Sequence, residues 1–418
     1  MTNSQTFGGF ARSARCVGLV LGVATAISAF AAPVNIPSAP TTLTSTAIRM
    51  ISYRQQDHMW QTSDGATHVF INRGQRSDTR SLSLNSTFDG GATWVSDVAT
   101  LDSTDSTTTS DGYLENDVLN LTYSGQSGEI RYAQFRYNPV GKTWALQKST
   151  IVFASSAALA LTPAMAADAM GRLWLGFTNQ DLATPPNYSI KLMRKEPDSE
   201  VWVDTGFVFG PVDNLSNERS VRPIATAQGI GVVYTVHAGN YWAQRDNRWA
   251  VTALWPRSLI YTSQFPDNDP YGSHYSVVAD AQKNLHMASV DGGKVVYSRL
   301  LSATQAWTTQ TLTNDVKATY TQALMSLGNL VVISNNLTTL RVFQSSNGGN
   351  SFVNTQVLTH PAGTSAIVYD NPRMEAPANS SSPIPVLQQY VNGLQNRALF
   401  FAVPVVQTTP VVVAPLSR

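Results

Sequence analysis

The sequence predicts an all-β fold, a β-propeller of four-stranded antiparallel blades, with seven blades favoured and six as the alternative count. Two repeats lead to this prediction. An aromatic residue recurs about every 50 residues, and short apolar strands alternate with polar turns between successive aromatics. The recurring aromatics are Trp94, Trp144, Trp202, Trp249, Trp307 and Phe352.

The second repeat is a strand, a polar turn and a more apolar strand, clearest over residues 165–174 and 277–286. One blade cannot bury both of its faces alone, so stacked neighbours must share a similar apolar pattern. The last unit lacks its aromatic, and a strand over residues 47–53 is expected to complete its sheet and remove the open edges. A pair of β-sandwiches is the alternative architecture.

Composition excludes several classes of protein. The chain has 418 residues, of which 43% are hydrophobic and 13% charged, so it has enough apolar surface for a folded core. Its formal net charge is +1 and it contains no run of Lys or Arg, which argues against nucleic-acid binding. Lys, Glu and Arg are scarce relative to Ser, Thr, Val and Gly, which argues against a helical bundle.

The N-terminus has the pattern of a signal peptide over residues 1–31. Arg12 and Arg15 precede an apolar run at 17–30, and Ala29-Phe30-Ala31 is a small-x-small cleavage site. We therefore expect a secreted or periplasmic protein with a Pro/Ser/Thr-rich linker at 32–45, a propeller at 46–404 and a tail at 405–418. The single cysteine, Cys16, lies in the signal, so disulfides and thiolate sites are not expected. We also expect a monomer without a membrane span, cofactor or metal site.

Residues 87–94 read Thr-Phe-Asp-Gly-Gly-Ala-Thr-Trp and fit the pattern S/T-x-D-x-G-x-T-W at every specified position. Residues 345–352 are a second copy with Asn347 in place of Asp, and residues 138–144 are a degraded third. Asp89 is predicted to accept backbone hydrogen bonds across its hairpin, while glycine permits positive φ and the aromatic holds the turn on the blade. Asp89 is thus interpreted as structural rather than catalytic.

These Asp-boxes, in units of this length, resemble the sialidase-like (BNR-repeat) propellers. The resemblance implies a catalytic set of an acid/base Asp, a Glu and a Tyr nucleophile. Asp78 precedes the first box, Glu218 stands in an Asn-Glu pair before a strand, and Tyr320 begins a segment like the family's Y-S-x-L. The three occur in the family's order.

The family's arginine cluster, which grips the substrate carboxylate, has no clear counterpart. Where the family reads Arg-Ile-Pro, this sequence reads Asp57-His58-Met59-Trp60, and His237 and His274 stand near the later arginine positions. A neutral imidazole holds a carboxylate less strongly than a bidentate guanidinium does. The sequence therefore predicts that the protein is not an efficient sialidase.

The innermost strands of a propeller begin at one mouth of its central channel. The predicted substrate-binding residues at this mouth are His58, Arg222, His274, Tyr275 and Arg373. His, Tyr and Arg together also suit a lyase that moves a proton on an acidic polysaccharide. The favoured hypothesis is a carbohydrate-directed propeller that acts as a sialidase-like glycoside hydrolase. The alternatives are a polysaccharide lyase on acidic glycans and a non-catalytic propeller that binds a glycan or protein. A glycan or polysaccharide is therefore the expected partner. No nucleic-acid partner is expected.

Overall fold

The fold is seen in a computed structural model. It describes residues 34–35, 39–47, 49–51, 55–75, 80–102, 110–125, 127–184, 186–209, 220–236, 239–246, 255–262, 275–313, 320–336, 338–360, 373–392 and 395–405. Every regular element in these ranges is a β-strand, and the strands form seven sheets, each built on four antiparallel strands, which are the blades of a propeller. The predicted fold class and the count of seven are confirmed.

Blades 1 to 3 each consist of four consecutive strands that follow one another from the axis outwards. Blade 1 contains β3 (Met59–Gln61), β4 (Thr67–Gln75), β5 (Arg80–Thr87) and β6 (Val95–Asp102). Blade 2 contains β7 (Ser110–Glu115), β8 (Val118–Ser124), β9 (Ile130–Asn138) and β10 (Thr143–Phe153). Blade 3 contains β11 (Ala158–Ala167), β12 (Leu173–Asp181), β13 (Tyr188–Lys195) and β14 (Trp202–Phe209).

Blades 4 to 6 repeat this order. Blade 4 contains β15 (Val221–Ala225), β16 (Gly229–Val236), β17 (Gly239–Asp246) and β18 (Arg257–Thr262). Blade 5 contains β19 (Tyr275–Ala279), β20 (Leu285–Asp291), β21 (Lys294–Leu301) and β22 (Ala306–Thr313). Blade 6 contains β23 (Tyr320–Ser326), β24 (Asn329–Asn335), β25 (Thr339–Ser345) and β26 (Val353–Thr359), with the two-residue strands β1 (Val34–Asn35) and β28 (Asn379–Ser380) at its edges.

Blade 7 is assembled from both ends of the described chain. It contains β27 (Met374–Glu375), β29 (Ile384–Asn392), β30 (Gln395–Val403) and, outermost, β2 (Ala39–Ser45). Ala39 pairs with Phe400, and the hydroxyl of Thr41 donates to the carbonyl oxygen of Ala398 at 2.8 Å. The closing strand thus lies upstream of the predicted 47–53, within the stretch interpreted as a linker. Pro40 is tolerated there because an outermost strand has a free edge.

The core is divided among the seven interfaces between neighbouring blades. Each of the seven buried apolar clusters takes its side chains from two adjacent blades. Phe70 of blade 1 and Phe135 of blade 2, for example, lie in one cluster with ring centroids 5.9 Å apart. Burial of apolar surface therefore acts mainly between blades, which explains the repeated apolar pattern.

The periodic aromatics reinforce these interfaces. Trp94 of blade 1 makes an edge-to-face contact with Phe400 of blade 7, with ring centroids 5.4 Å apart. Trp202, Trp307 and Phe352 make equivalent contacts with an aromatic on the third strand of the preceding blade. The repeat visible in the sequence is therefore a repeat of contacts between blades. Trp249 lies outside the described residues.

The turn at residues 87–94 has the hydrogen bonds expected of it. One carboxylate oxygen of Asp89 accepts from the backbone N–H of Thr93 at 2.9 Å, and the other accepts from its hydroxyl at 2.6 Å. Gly91 has φ of +94°, and a Cβ there would lie 2.0 Å from the Phe400 ring. Asn347 accepts in the same way from the N–H of Ser351 at 3.0 Å. Asp89 and Asn347 thus accept hydrogen bonds from residues of their own turns, as predicted for a structural role.

Within the ranges that the structure describes, no helix has the length and hydropathy needed to span a bilayer.

Candidate functional site

The beginnings of the innermost strands gather at one mouth of the propeller axis, which we call the axial mouth. Six polar side chains lie there, all buried except the half-buried Asp57. They are Asp57 and His58 just before β3, Asp111 in β7, Arg222 in β15, Gln322 in β23 and Glu375 in β27. These six residues come from blades 1, 2, 4, 6 and 7, so the ring of blades itself brings them together.

Arg222 is held between two carboxylates. Its Nη2 donates to Oδ2 of Asp57 at 2.5 Å, and its Nη1 donates to Oδ1 of Asp111. The backbone N–H of Asp57 also donates to Oδ1 of Asp111 at 2.7 Å, and that of Met165 donates to Oδ2 at 2.6 Å. Blades 1, 2, 3 and 4 are thereby tied across the axis. Both terminal nitrogens of the guanidinium already donate to carboxylates, so Arg222 has little remaining hydrogen-bonding capacity for a substrate carboxylate.

Burial sets the protonation of this cluster. Asp111 is 0% exposed, and burial raises its pKa to about 6; Arg222 opposes this rise and Asp57 adds to it. Burial alone would lower the pKa of Arg222, but Asp111 and Asp57 outweigh it and the net pKa is raised. Arg222 is consequently a permanent cation, while Asp111 can take up a proton in mild acid.

The second cluster joins blades 7, 1 and 6. Nδ1 of His58 lies 2.9 Å from Oε2 of Glu375, and Nε2 of Gln322 donates to Oε1 of the same carboxylate at 3.2 Å. His58 is 3% exposed and Glu375 is 1% exposed. Burial raises the pKa of Glu375, and His58 opposes that rise. The carboxylate fixes the orientation of the imidazole as a positioned acid or base requires.

The other ring nitrogen of His58 has no partner. Nε2 is buried, and no described residue lies within hydrogen-bonding distance of it. A buried polar atom without a partner costs free energy unless water or a ligand satisfies it. In the tautomer whose Nδ1 donates to Glu375, Nε2 carries the lone pair and can accept a proton.

A cavity of about 670 Å³ runs along the axis from this ionic cluster. Asp57 and Arg222 line one end, where the innermost strands begin. Glu115, Ala169 and Lys283 line the other end, where those strands finish. The axis therefore holds an open space next to the cluster, large enough for one or more sugar rings.

The structure brings together three of the predicted site residues. His58, Arg222 and Arg373 all lie at the axial mouth, Arg373 immediately before β27. Tyr275 begins β19 but is buried, and its hydroxyl donates to the carbonyl oxygen of Val233 at 3.3 Å. Burial raises the pKa of Tyr275, with Ser220 and Arg222 opposing, so the phenol stays protonated. A lyase base with a lowered tyrosine pKa is therefore not found at this position.

Of the predicted sialidase-like catalytic residues, the structure describes only Tyr320. Tyr320 begins β23 and belongs to the apolar cluster between blades 6 and 7. Asp78, Glu218 and His274 lie outside the described residues, so their predicted roles stay predictions.

Four residues that build the site are not among those predicted from the sequence. They are Asp57, Asp111, Gln322 and Glu375, and all lie within two residues of the start of an innermost strand. A search of the sequence for polar residues at the starts of the innermost strands could therefore have identified these four residues. Which of these residues contact each other cannot be read from the sequence, because each contact joins residues of different blades.

No group of three or more His, Cys, Asp or Glu side chains within the described ranges is arranged to hold a metal ion. The two clusters at the axial mouth satisfy their carboxylates with Arg222, His58, Gln322 and backbone N–H groups instead.

No known protein-family profile matches the sequence, and no curated protein matches it significantly. Solved structures match by fold. An ulvan lyase from a new family of polysaccharide lyases, bound to a glucuronic acid–sulfated rhamnose unit, has a TM-score of 0.52 at 10% identity, covering 88% of this chain and 96% of that one. The Trypanosoma rangeli sialidase has a TM-score of 0.45 at 12% identity, covering 73% and 55%.

A lectin from Aleuria aurantia, in complex with a fucosylated sugar, also matches, with a TM-score of 0.45 at 10% identity, covering 75% of this chain and 99% of that one. The chain spans little more than half the length of the sialidase. At these identities the likeness to the ulvan lyase shows the propeller fold alone.

Proposed function

We propose that this protein is an exported, carbohydrate-directed propeller that cleaves acidic polysaccharide by elimination, with His58 as the proton acceptor. The observation that carries the proposal is the pair His58–Glu375, in which the carboxylate orients the imidazole and Nε2 has no hydrogen-bond partner among the described residues. The fold likeness to a polysaccharide lyase bound to a glucuronate-containing unit supports testing this substrate class first.

In the proposed reaction, Nε2 of His58 removes the proton from the carbon next to the uronate carboxylate. The electron pair left behind forms a double bond with the neighbouring carbon, and the bond from that carbon to the glycosidic oxygen breaks. The departing oxygen takes up a proton from water and becomes a hydroxyl group of one product, the other product carries the unsaturated uronate, and the imidazolium of His58 then returns its proton to the hydroxide that is left. Glu375 stabilises the imidazolium that forms during the step. Arg373, at the same mouth, is assigned to the substrate carboxylate.

Arg222 has a different role in this proposal. Its two carboxylate partners hold it at the base of the axial cavity, where it fixes the mutual position of blades 1, 2 and 4. Export, with removal of residues 1–31, belongs to the proposal as well, because polysaccharide substrates lie outside the cytoplasm.

The test is the ultraviolet absorbance of unsaturated uronate released from a panel of polyuronates by the full chain. His58→Gln should abolish the signal. His286→Gln is the matched control, because His286 is another buried histidine paired with a carboxylate, Nε2 lying 3.2 Å from Oδ2 of Asp280 in blade 5. It should retain activity.

Three outcomes contradict the proposal. A folded His58→Gln variant that still releases unsaturated product would remove His58 from the reaction. New reducing ends without ultraviolet absorbance would indicate hydrolysis and favour Asp78, Glu218 and Tyr320. Glycan binding without any cleavage would indicate a lectin-like protein.

A further inference from the structure

A second cavity, of about 370 Å³, lies between blades 2 and 3 on the face opposite the axial mouth. It is lined by the ends of β7, β9 and β13 and by the turn that follows β11. We call it the interblade cavity. Tyr113, Glu115 and Gly171 line both this cavity and the axial one, so the two are neighbours.

Three of the side chains that line the interblade cavity are cationic. Arg136, Lys148 and Lys195 line it, against a single lining carboxylate, that of Glu115. The whole chain, by contrast, has a formal net charge of only +1. Lys148 is paired with Glu200, and both of these side chains are exposed. Arg136 of blade 2 and Lys195 of blade 3 have no salt bridge to a described residue, although Glu200 and Asp198 act electrostatically on Lys195.

Lys195 is the unusual member of this set. It is 5% exposed, and its Nζ has one hydrogen-bond acceptor among the described residues, the carbonyl oxygen of Glu196 at 3.4 Å. Burial lowers the pKa of Lys195, Glu200 opposes this and Lys148 adds to it. Buried lysines are normally paired, so a lysine at a cavity wall with one long hydrogen bond to a described residue is suited to bind an anion.

The cavity wall also carries neutral groups suited to a sugar. The hydroxyl of Tyr132 donates to Oδ1 of Asn120 at 2.7 Å, and Nε2 of Gln134 donates to the same oxygen at 3.1 Å. These contacts fix the amide of Asn120 with its nitrogen free to donate. Tyr113, half-buried, supplies a ring at the passage between the two cavities. Amides and an aromatic ring beside cations are the groups that bind acidic saccharides.

We infer that the interblade cavity is a second binding site, which takes the sulfate or carboxylate of an acidic saccharide on Lys195 and Arg136. That the ligand is a saccharide rests on the proposed function, whereas its negative charge follows from the cavity itself. The site is separate from the axial mouth and contains none of the residues assigned to the reaction.

The experiment is calorimetric titration of the full chain carrying His58→Gln, so that ligand is not consumed. The probes are a chondroitin sulfate tetrasaccharide, its unsulfated form and a neutral maltotetraose. Lys195→Met and Arg136→Gln should each weaken binding of an acidic probe about tenfold, the loss expected for one charge-assisted hydrogen bond. A preference for the sulfated probe identifies sulfate as the anion, and equal affinity identifies the carboxylate.

Lys191→Met is the matched control. Lys191 lies on the same strand as Lys195, but it contacts Asp204 and does not line the cavity. Arg136 is exposed, so Arg136→Gln keeps the test valid if Lys195→Met fails to fold.

Unchanged affinity in both cavity variants, or equal binding of the neutral probe, overturns the inference. If the chain with His58 intact still cleaves polyuronate in that case, the proposed function stands without the second site. Binding of an acidic probe that depends on Lys195 and Arg136, in a protein that cleaves no polyuronate, supports the inference and contradicts the proposed function.

Discussion

The imidazole of His58 and the carboxylate of Glu375 are 2.9 Å apart, although 317 residues separate them in the sequence. His58 belongs to the first blade and Glu375 to the seventh, which are neighbours only because the ring is closed. The candidate base and the group that orients it are therefore positioned by ring closure, and a shift of blade 7 relative to blade 1 would separate them.

Arg222 should contribute strongly to stability. Arg222→Met leaves Asp57 and Asp111 facing each other without a cation, and loss of one partner from a buried ionic cluster costs about 3–5 kcal/mol. Urea unfolding monitored by tryptophan fluorescence measures this loss. Lys148→Met, which breaks the exposed pair with Glu200, should have a much smaller effect. Equal losses of unfolding free energy in the two variants would show that the contacts of Arg222 with Asp57 and Asp111 do not stabilise the fold.

The stability of the protein should depend on Asp111 between pH about 4 and about 6. Burial raises the folded-state pKa of Asp111 to about 6, above its ordinary value of about 3.9, so the folded state binds this proton more tightly than the unfolded state does. The unfolding free energy contributed by this group is therefore highest in acid and falls as the pH rises through that window. Above about pH 6 its contribution is constant.

Unfolding curves of the wild type and of Asp111→Asn across this pH range isolate the effect. The stability of the wild type should fall relative to the variant as the pH rises from about 4 to about 6. Asp89 does not interfere in this window, because hydrogen bonds from Thr93 lower its pKa to about 2 and its contribution to stability is lost only as the pH falls below about 4. A pH-independent difference between wild type and variant would contradict the raised pKa.

Gly91 should be far less replaceable than Gly90. Both have positive φ, so alanine strains either backbone, but a Cβ at Gly91 would also lie 2.0 Å from the Phe400 ring whereas a Cβ at Gly90 meets nothing within 4 Å. Gly91→Ala is expected to cost about 1–3 kcal/mol more than Gly90→Ala, as overpacking does. Thermal unfolding of the pair measures the difference. Equal losses would mean that the turn does not pack against blade 7.

Turnover of a sialyl reporter substrate at neutral pH should be far below that of an ordinary sialidase. Arg222 is occupied by two carboxylates, and His58, held by Glu375, stands where the first arginine of a carboxylate clamp is expected. Each lost charged hydrogen bond removes about 1.5–3 kcal/mol of binding to the substrate carboxylate. Ordinary sialidase rates would show that other arginines build the clamp.

Much of the fold can be predicted from the sequence because its information is local. Each blade is a run of consecutive strands, and Trp94, Trp202 and Trp307 mark the outermost strands at regular intervals. The predicted closing strand lies several residues too late, because the true one, Ala39–Ser45, pairs with a strand at the other end of the chain. Its own composition, rich in Pro and Thr, is equally typical of a linker.

The site is less predictable for the same physical reason. His58 and Arg222 can be proposed because each lies at the start of an innermost strand. Glu375 and Asp111 cannot be paired with them, because each partner is contributed by another blade and neither contact leaves a spacing in the sequence. The interblade cavity, built from strand ends in blades 2 and 3, likewise has no motif of its own.

The position of β2 also affects the order of events in folding. The contact between Thr41 and Ala398 spans 357 residues, so the ring can close only after the final strands have been synthesised. Until then, the apolar face of blade 1 that packs against blade 7 lacks its partner. Burial of this face therefore depends on a pairing between segments that are far apart in the sequence, and such long-range contacts form slowly because closing the intervening loop costs entropy.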